Sequence, residues 1–534
     1  MTYRLLPRPV GLPTRPVALL IAAWASLLLA WVGSNPAGSS PDETAHLVKA
    51  LGVASGDLTG AAARYAPGPE FGPDQLEWIN SVTRAFAVPK AKTFGTIATC
   101  NAFRPQQPAT CIPVGLEKRA GADQSVELTH VGPYQPLPYL ALGVPARLAP
   151  GGAAAAVAAG RLVVALAATG LLALAALALW SAASGAWSLI GLVVGVSPMV
   201  VFLGSSFSPS GIEIAAGACA AAGVVATARL AAPKPIAWAA LGVGCSTMAL
   251  ARTTGPYWVV AMFLVLLVLV SPAGLRDRVR KGGRRAVIGL SAPLVAAAGT
   301  VGWDLAVLPA PTGGTDIGGG IPKAFAALPE LMRQAVGVFG WLDTAMPALA
   351  YATWRLMLLG LVLLALLVGR RRDRLILLLS IGGVLTATVG LALFAVYPTN
   401  FDTQARYTLP LALIVPLLAG EVLARERHRL VGLLPRSLPL AVSVTAAAVH
   451  LVGFWSNGRR NSVGTDGPVF FLGHSQWVPP GGWVPWMLLA GTGAVALAAA
   501  LWPPRPLQPA QPLQPAQPLQ PAQQKFAVSP GGKR

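Results

Sequence analysis

Long apolar runs, separated by short polar or basic segments, recur along almost the whole chain. Each run is about twenty residues long, the length that one helix needs to cross a bilayer. The pattern predicts about twelve spans near residues 17–32, 154–180, 186–203, 211–230, 235–251, 257–272, 284–307, 348–369, 375–397, 407–424, 437–455 and 483–502. The fold class expected from this pattern is all-α, a polytopic transmembrane helix bundle.

The composition supports lipid as the solvent for much of the chain. Of the 534 residues, 54% are hydrophobic and 11% are charged, whereas soluble proteins carry about 25% charged residues. The net charge of +20 comes largely from basic clusters between apolar runs, at 276–285, 370–374 and 425–436. Lys and Arg concentrate in cytoplasmic loops. The charge therefore indicates topology and contact with anionic lipid, and not a nucleic-acid partner.

The same clusters predict an orientation. Counting alternate sides from a cytoplasmic N-terminus puts all three clusters and the C-terminus inside. We expect a multi-pass protein of the plasma (inner) membrane, with residues 1–16 cytoplasmic, a transmembrane domain over 17–502, and a cytoplasmic Pro/Gln-rich tail over 503–534. The first run resembles a signal peptide, but it is long for one and lacks a clean cleavage site, which favours an uncleaved span.

This orientation exposes four segments on the outer face: 33–136, 308–347, 398–406 and 456–482. The first is a large extracytoplasmic loop that holds 9 of the 20 acidic residues. Cys100 and Cys111 both lie in it and are candidates for a disulfide in an oxidising compartment. Residues 137–150 are too few to span and are expected at the membrane interface.

The segment SSPDETAHLVKA (39–50) follows the first apolar run and carries two adjacent carboxylates. Ser40 to Glu43 has the form of a capping box, in which acidic side chains satisfy a helix start. Asp42 and His46 are four residues apart, so on a helix they would share a face as a carboxylate–imidazole pair. Such a pair is a candidate base or half of a metal site. The residues alone favour neither the helix-capping interpretation nor the functional interpretation of these acids.

A second acid repeats the pattern in SSFSPSGIEI (205–214), where Ser210 and Glu213 also fit a capping box. An ionisable group at the edge of a span is nevertheless a functional candidate. We slightly favour function for Glu213.

Four arginines are expected at the same outer level: Arg252, Arg406, Arg459 and Arg460. Interfacial snorkelling is the simpler explanation for them. Positive residues usually avoid that side, however, and arginine binds phosphate through two parallel hydrogen bonds. We therefore treat these arginines, with Tyr407, as candidate substrate or phosphate ligands, together with His46 and Glu213.

Other polar residues favour structural roles. Arg161 and Arg355 are expected to pair with acids in the bundle, such as Asp304 and Asp343. His450 is expected to be a hydrogen-bonded helix residue. The chain contains no HExxH, P-loop or nucleophile-elbow motif, which argues against a metalloprotease, an ATPase and a serine hydrolase.

Several motifs together resemble a known family: PDETAH (41–46), SPSGIEI (208–214), GVFGWLDT (337–344), QARYTLP (404–410) and GRRNSVGTDGP (458–468). They resemble a widespread bacterial family of multi-pass membrane proteins known only as a domain of unknown function, over roughly residues 17–500. The architecture in turn is similar to the C-type (GT-C) glycosyltransferase superfamily, whose members take sugars from polyprenyl-phosphate carriers. The resemblance implies that Asp42 is the first candidate catalytic base and Glu43 the second. It also implies that residues 64–136 help to shape an acceptor site.

The leading hypothesis is a transferase that moves a sugar from a polyprenyl-phosphate donor to a cell-envelope glycan or lipid. A transporter or flippase of lipid-linked saccharides, and a non-catalytic envelope-assembly protein, are the alternatives. The expected partners are membrane lipid, the donor and the acceptor, with no nucleic acid. No cofactor or metal ligand is assigned, although a divalent metal is compatible with the acidic motif.

Overall fold

The computed structural model describes residues 15–65, 72–94, 100–111, 123–181, 183–310, 313–430, 435 and 437–502. The predicted cytoplasmic N-terminus up to residue 14 and the Pro/Gln-rich tail from residue 503 lie outside the described residues. So do parts of the first loop and Arg436 of the third basic cluster.

Helices dominate the described chain. In order they are α1 (Arg15–Ser34), α2 (Glu43–Ala54), α3 (Pro73–Val82), α4 (Leu137–Leu148), α5 (Ala153–Leu179), α6 (Ile190–Gly195), α7 (Pro198–Leu203), α8 (Pro209–Arg229), α9 (Pro235–Ala251), α10 (Gly255–Val270), α11 (Pro272–Gly282), α12 (Arg284–Val307), α13 (Ile317–Gly337), α14 (Ala348–Val368), α15 (Arg371–Leu391), α16 (Ala405–Ala412), α17 (Ile414–Glu426), α18 (Leu438–Val463) and α19 (Trp483–Ala500). The strands are β1 (Ala61–Ala62), β2 (Arg84–Pro89), β3 (Gln124–Thr129), β4 (Val338–Phe339) and β5 (Thr344–Ala345).

The predicted fold class, an all-α polytopic bundle, is confirmed. Within the described ranges, nine helices are long and apolar enough to span a membrane, or ten if the pair α10–α11, bent by 98°, is one span. The sequence pattern predicted about twelve. The stretch 186–203 is broken where Ser197 caps α7 and Pro198 opens it. The stretch 235–251 forms α9, whose 17 residues extend about 25 Å, less than the hydrocarbon thickness.

The bundle is arranged as expected for a lipid environment, with large apolar side chains on its outside. On α14, for example, Leu349, Leu356 and Leu367 are exposed. In contrast, α8 is almost entirely buried and is rich in Ala and Gly, which allow helix backbones to approach closely. A Cβ at Gly223 would lie 2.3 Å from the backbone nitrogen of Leu241 in α9. The small residues therefore make α8 the central helix of the bundle.

The first loop contains a small folded unit. Its strands form an antiparallel sheet in the order β1-β2-β3, with Arg84 of β2 paired to Thr129 of β3. The Thr129 hydroxyl donates to the carbonyl oxygen of Ala45 in α2 (2.9 Å), which ties the sheet to the segment after α1. Cys100 and Cys111 form a disulfide in this loop.

The segment 137–150, expected at the membrane interface, forms the 12-residue helix α4. Its side chains Leu137, Leu140, Val144 and Leu148 are exposed. Their spacing of three and four residues gives one apolar face. The helix is too short to span, so this face suits an interfacial position.

The three basic clusters gather at the Arg229 end of α8. Arg278 of the first cluster donates to the carbonyl oxygen of Thr227 in α8 (3.1 Å). Arg229 pairs with Glu421 of α17 (2.5 Å). Glu426, farther along α17, pairs with arginines of the second and third clusters. Because α8 is a single helix, the clusters and Glu213 lie at its opposite ends, about 24 Å apart.

Helices α1 and α19 run antiparallel, which brings the two ends of the described chain together. A Cβ at Gly33 would overlap the ring of Trp486, and a Cβ at Gly493 would lie 2.9 Å from Leu27. The start of α1 and the end of α19 therefore both point away from Ser34, towards the Arg229 end of α8.

Candidate functional site

Asp42 lies in the turn between α1 and α2, at the Glu213 end of α8. Its backbone has φ 61° and ψ 10°, the left-handed region, and its side chain forms no capping hydrogen bond although α2 begins at the next residue. The carboxylate instead pairs with Nη2 of Arg406 (2.7 Å) and with Nε2 of His130 (3.5 Å). The capping-box interpretation of Ser40 to Glu43 is therefore wrong. The left-handed turn directs the Asp42 carboxylate away from the helix start.

The environment of Asp42 keeps it ionised. Burial by itself would raise the pKa of this carboxyl, but the guanidinium of Arg406 and the imidazole of His130 outweigh burial and hold the pKa well below its usual range. The side chain still has 26% of its surface exposed. Asp42 is thus an accessible carboxylate with a specific counterion.

Glu43 has a different environment from its neighbour, because it is fully buried. Its carboxylate accepts hydrogen bonds from Nε and Nη2 of Arg161 in α5 (2.7 and 2.5 Å). It also accepts from the backbone N–H groups of Gly38 (2.8 Å) and Phe207 (2.9 Å). Arg161 was expected to pair with an acid such as Asp304 or Asp343; its partner is Glu43, and Asp343 pairs with Arg460. Four donors surround the carboxylate, so in this structure Glu43 ties the Asp42 turn to α5 and to the segment before α8.

His46 does not form the expected pair with Asp42. Its Nδ1 lies 2.9 Å from the Tyr139 hydroxyl and its Nε2 lies 3.2 Å from the Ser208 hydroxyl. Burial lowers the pKa of His46 to about 3, helped by the nearby Arg252 and opposed by Asp42. The imidazole is therefore neutral at physiological pH and links α2, α4 and the start of α8.

Arg252 and Arg406 both contact the Tyr407 ring, with their guanidinium carbons 5.2 and 5.5 Å from the ring centre. Arg252 donates to the Ser210 hydroxyl (3.0 Å). Nε of Arg406 is buried and has no hydrogen-bond partner among the described residues. The two guanidiniums are therefore held side by side next to Asp42, and one of them keeps an unused donor.

Glu213 faces Arg252, with 4.0 Å between Oε2 and Nε. Its Oε1 accepts a hydrogen bond from the Thr254 hydroxyl (2.8 Å). The first turn of α8 is capped by Ser208, whose hydroxyl accepts from the N–H of Ser210. The capping-box interpretation of Glu213 is therefore also wrong, and this buried acid belongs to the arginine cluster.

The spacing of α8 and α16 depends on one glycine. A Cβ at Gly217, one turn after Glu213, would lie 2.3 Å from the carbonyl oxygen of Pro410, one turn after Arg406. Any side chain at Gly217 would force the two helices apart. This close approach fixes the distance between the Glu213–Arg252 pair and the Asp42–Arg406 pair.

Arg459 and Arg460 make contacts of their own. Nη2 of Arg460 pairs with Asp343 (2.8 Å) and donates to the carbonyl oxygen of Asn101 (2.7 Å). Arg459 donates to the carbonyl oxygen of Gly467. These contacts join the GVFGWLDT and GRRNSVGTDGP motifs to the first loop. The predicted set of four arginines is therefore divided, and Arg252 and Arg406 form the pair beside Asp42.

No group of three or more His, Cys, Asp or Glu side chains with metal-binding geometry occurs in the described part of the chain. Asp42 and His130 together provide two donor groups. His450 contacts the carbonyl oxygen of Val196 (3.1 Å) and the ring of Trp354, as expected for a structural histidine.

The family model described as predicted membrane protein (DUF2142) matches residues 26–415. The chain belongs to this family. No curated protein and no solved structure gives a significant match. In this DUF2142 protein, the matched range includes both Asp42 and Arg406, whereas Arg459 and Arg460 lie beyond it.

Sequence reasoning missed His130, Tyr139 and Ser208. His130 follows β3, and the pairing of β2 with β3 together with the Thr129 hydrogen bond to α2 brings it to Asp42. The sequence THVGPY (129–134) does combine a histidine with a Gly-Pro turn just before α4. This combination marked His130 as a candidate in the DUF2142 chain, but it did not predict which residue His130 contacts.

Proposed function

We propose that this protein is an integral membrane glycosyltransferase-like enzyme that transfers a sugar from a polyprenyl-phosphate carrier to a cell-envelope glycan or lipid at the outer face of the plasma membrane. The observation that carries the proposal is the accessible Asp42 carboxylate paired with Arg406, with Arg252 held close by. The site thus combines a candidate base with cations that suit a phosphate leaving group.

The proposed reaction needs one deprotonation and one displacement. Asp42 takes the proton of the acceptor hydroxyl, and the acceptor oxygen forms a bond to C1 of the sugar with inversion. The bond between C1 and the phosphate oxygen breaks, and the electron pair leaves on the polyprenyl phosphate. Arg406 and Arg252 stabilise that developing negative charge.

Asp42 is a weak base while Arg406 is its counterion, because the pKa of its carboxyl is then well below the usual range. A donor phosphate that binds the guanidinium of Arg406 would compete with Asp42 for it. Losing that counterion raises the pKa of Asp42, so donor binding would strengthen the base. Counterion exchange thereby couples proton removal to the presence of the donor.

Glu43 and His46 act as positioning residues in this proposal. The buried contacts of Glu43 with Arg161, and those of His46 with Tyr139 and Ser208, set the conformation of the turn that presents Asp42. Neither side chain needs to exchange a proton with the substrate.

The basic clusters and Asp42 lie at opposite ends of α8, and this supports the proposal that Asp42 lies at the outer face of the membrane. Lys and Arg are retained on the cytoplasmic side, so the Arg229 end of α8 would face the cytoplasm. The start of α1 and the end of α19 lie towards that same end, which supports a cytoplasmic location for both.

The test is sugar transfer by purified full-length protein in liposomes. A radiolabelled polyprenyl-phosphate sugar is supplied with envelope extract from a deletion strain as acceptor. We expect Asp42→Asn to lose at least 100-fold in transfer. Asparagine tolerates the left-handed turn, so folding should be retained. The matched control Asp57→Asn, three residues after the end of α2, keeps the oxygen that accepts from the N–H groups of Thr59 and Gly60 and should transfer normally. Equal transfer by Asp42→Asn and the control would refute the proposal.

The same liposomes distinguish the transporter alternative. If the labelled lipid crosses the bilayer while no acceptor is modified, the protein is a flippase and the proposed reaction is wrong.

A further inference from the structure

A cavity of about 240 Å³ lies between α13 and the start of α14. Its lining residues are Arg333, Met346, Ala348, Tyr351, Ala352 and Arg355. Two guanidiniums thus face a space bounded mainly by apolar groups. The volume is below that of sites that enclose a whole small molecule, so it suits a small anionic group.

The positive charge of this cavity is incompletely neutralised. Arg333 pairs with Glu330 (2.9 Å). Arg355 forms no ion pair among the described residues, and its Nε is buried without a hydrogen-bond partner. The Tyr351 hydroxyl is already used, because it donates to the carbonyl oxygen of Gly337 (2.6 Å) and accepts from the N–H of Met346 (2.9 Å). One cation therefore lacks a partner.

Arg355 is the eighth residue of α14, about 10 Å along a candidate membrane span. Ionisable side chains in spans are costly unless they are paired or hydrogen-bonded. Because Arg355 has no ion pair within the described ranges, it is a candidate to bind a counter-charge carried by a ligand.

Both helices that border the cavity, α13 and α14, carry exposed apolar side chains elsewhere along their length. Helix α13 exposes Ile317, Ile321, Phe325 and Met332, whose spacing gives one apolar stripe, as in helices that lie in the membrane interface. On α14, Leu349 and Leu356 flank Arg355 and are 77% and 73% exposed. A ligand in the cavity would therefore extend along apolar protein surface.

We propose that this cavity binds the phosphate group of a membrane lipid, with Arg355 and Arg333 as its ligands and the lipid chain lying along α14. Phospholipids and polyprenyl phosphates share this chemistry. The site uses none of the residues around Asp42, so it stands independently of the proposed sugar transfer.

The test is lipid binding to purified full-length protein in detergent, followed by native mass spectrometry. The probes are dioctanoyl phosphatidic acid and a polyprenyl phosphate, each compared with its phosphate-free counterpart, and inorganic phosphate. We expect both phosphate lipids to bind at least tenfold more tightly than the neutral ones. The tighter of the two identifies the lipid class.

Arg355→Gln should reduce phosphate-lipid affinity at least tenfold, and Arg355→Lys should retain part of it. The matched control Lys323→Gln removes a cation of α13 that lines a different cavity, with Tyr397 and Asp402, and should bind as the wild type does. Equal binding of neutral lipids, wild-type binding by Arg355→Gln, or inorganic phosphate competing at the same concentration as the lipids would each overturn the proposal. Because the readout is binding, a negative result here leaves the role of Asp42 untouched.

Discussion

Glu43 is completely buried, whereas its neighbour Asp42 is partly exposed, so the two acids have different roles. Glu43→Gln keeps the size of the side chain but removes its charge and turns one acceptor group into a donor. The amide nitrogen would then face donors from Arg161, Gly38 or Phe207, which surround the carboxylate in the wild type.

The expected cost follows from these contacts. The Glu43–Arg161 pair is almost completely inaccessible to solvent, so the substitution leaves the guanidinium charge buried without its counterion. Breaking a buried pair in this way costs about 3–5 kcal/mol. Substituting both partners removes the uncompensated charge, so Glu43→Gln with Arg161→Gln should destabilise by less than the sum of the two single changes.

The assay is equilibrium unfolding in mixed micelles for the wild type, the two single variants and the double variant. Exposed Glu330→Gln is the control, since its partner Arg333 is 42% exposed and surface pairs contribute about 0–1 kcal/mol. If Glu43→Gln unfolds within about 0.5 kcal/mol of the wild type, which is the usual size of a surface substitution, the assignment of Glu43 as a buried anchor fails.

Three further predictions follow from individual contacts. Burial lowers the pKa of Lys49 to about 8, so between pH 8 and about 10.5 the unfolded state binds a proton that the folded state lacks. The free energy of unfolding should therefore rise by about 3 kcal/mol over that pH range. Lys49→Met should remove this rise when unfolding is measured as a function of pH. Cys100→Ser should lower the stability of the first loop by about 2–4 kcal/mol, measured as faster limited proteolysis that equals that of reduced wild type; unchanged proteolysis would contradict this. Arg406→Lys should reduce sugar transfer about 100–1,000-fold, because one positioned donor of this kind is worth that much; full activity would show that a point charge suffices.

The sequence predicted the bundle well because the bilayer acts directly on local composition. A span needs a continuous apolar run, and runs such as 348–369 and 483–502 correspond to α14 and α19 within a few residues. It failed where polar and breaking residues lie inside an apolar run. At 186–203, Ser197 and Pro198 divide the run into short helices, although the mean hydropathy stays high.

The candidate site was predicted in part. Asp42, Arg406, Glu213 and Arg252 were all singled out as charges at one membrane level, and the structure brings these four together. The sequence ranked Asp42 before Glu43 as a candidate base, but for Glu43 it offered a helix-capping contact where the structure has a buried ion pair. The two acids differ in their tertiary contacts, because Glu43 pairs with Arg161, which lies 118 residues away in the sequence.

The contact between His130 and Asp42 could not be predicted from the sequence either. This contact depends on the register of β2 and β3 and on the Thr129 hydrogen bond to α2. No local periodicity encodes that pairing. The pattern of isolated polar residues therefore predicted the membrane depth of the site. The packing of α2, α8 and α16 was needed to identify the residues that form it.

In the proposed reaction, a donor phosphate takes the guanidinium of Arg406 from Asp42. The most direct measurement is an experimental structure of the full-length protein in a lipid nanodisc with a polyprenyl-phosphate sugar bound. We predict that the phosphate oxygens lie within hydrogen-bond distance of the Arg406 guanidinium and that the contact with Asp42, 2.7 Å in the present structure, lengthens beyond 3.5 Å. A bound donor whose phosphate lies elsewhere, with the Asp42–Arg406 contact unchanged, would contradict the account.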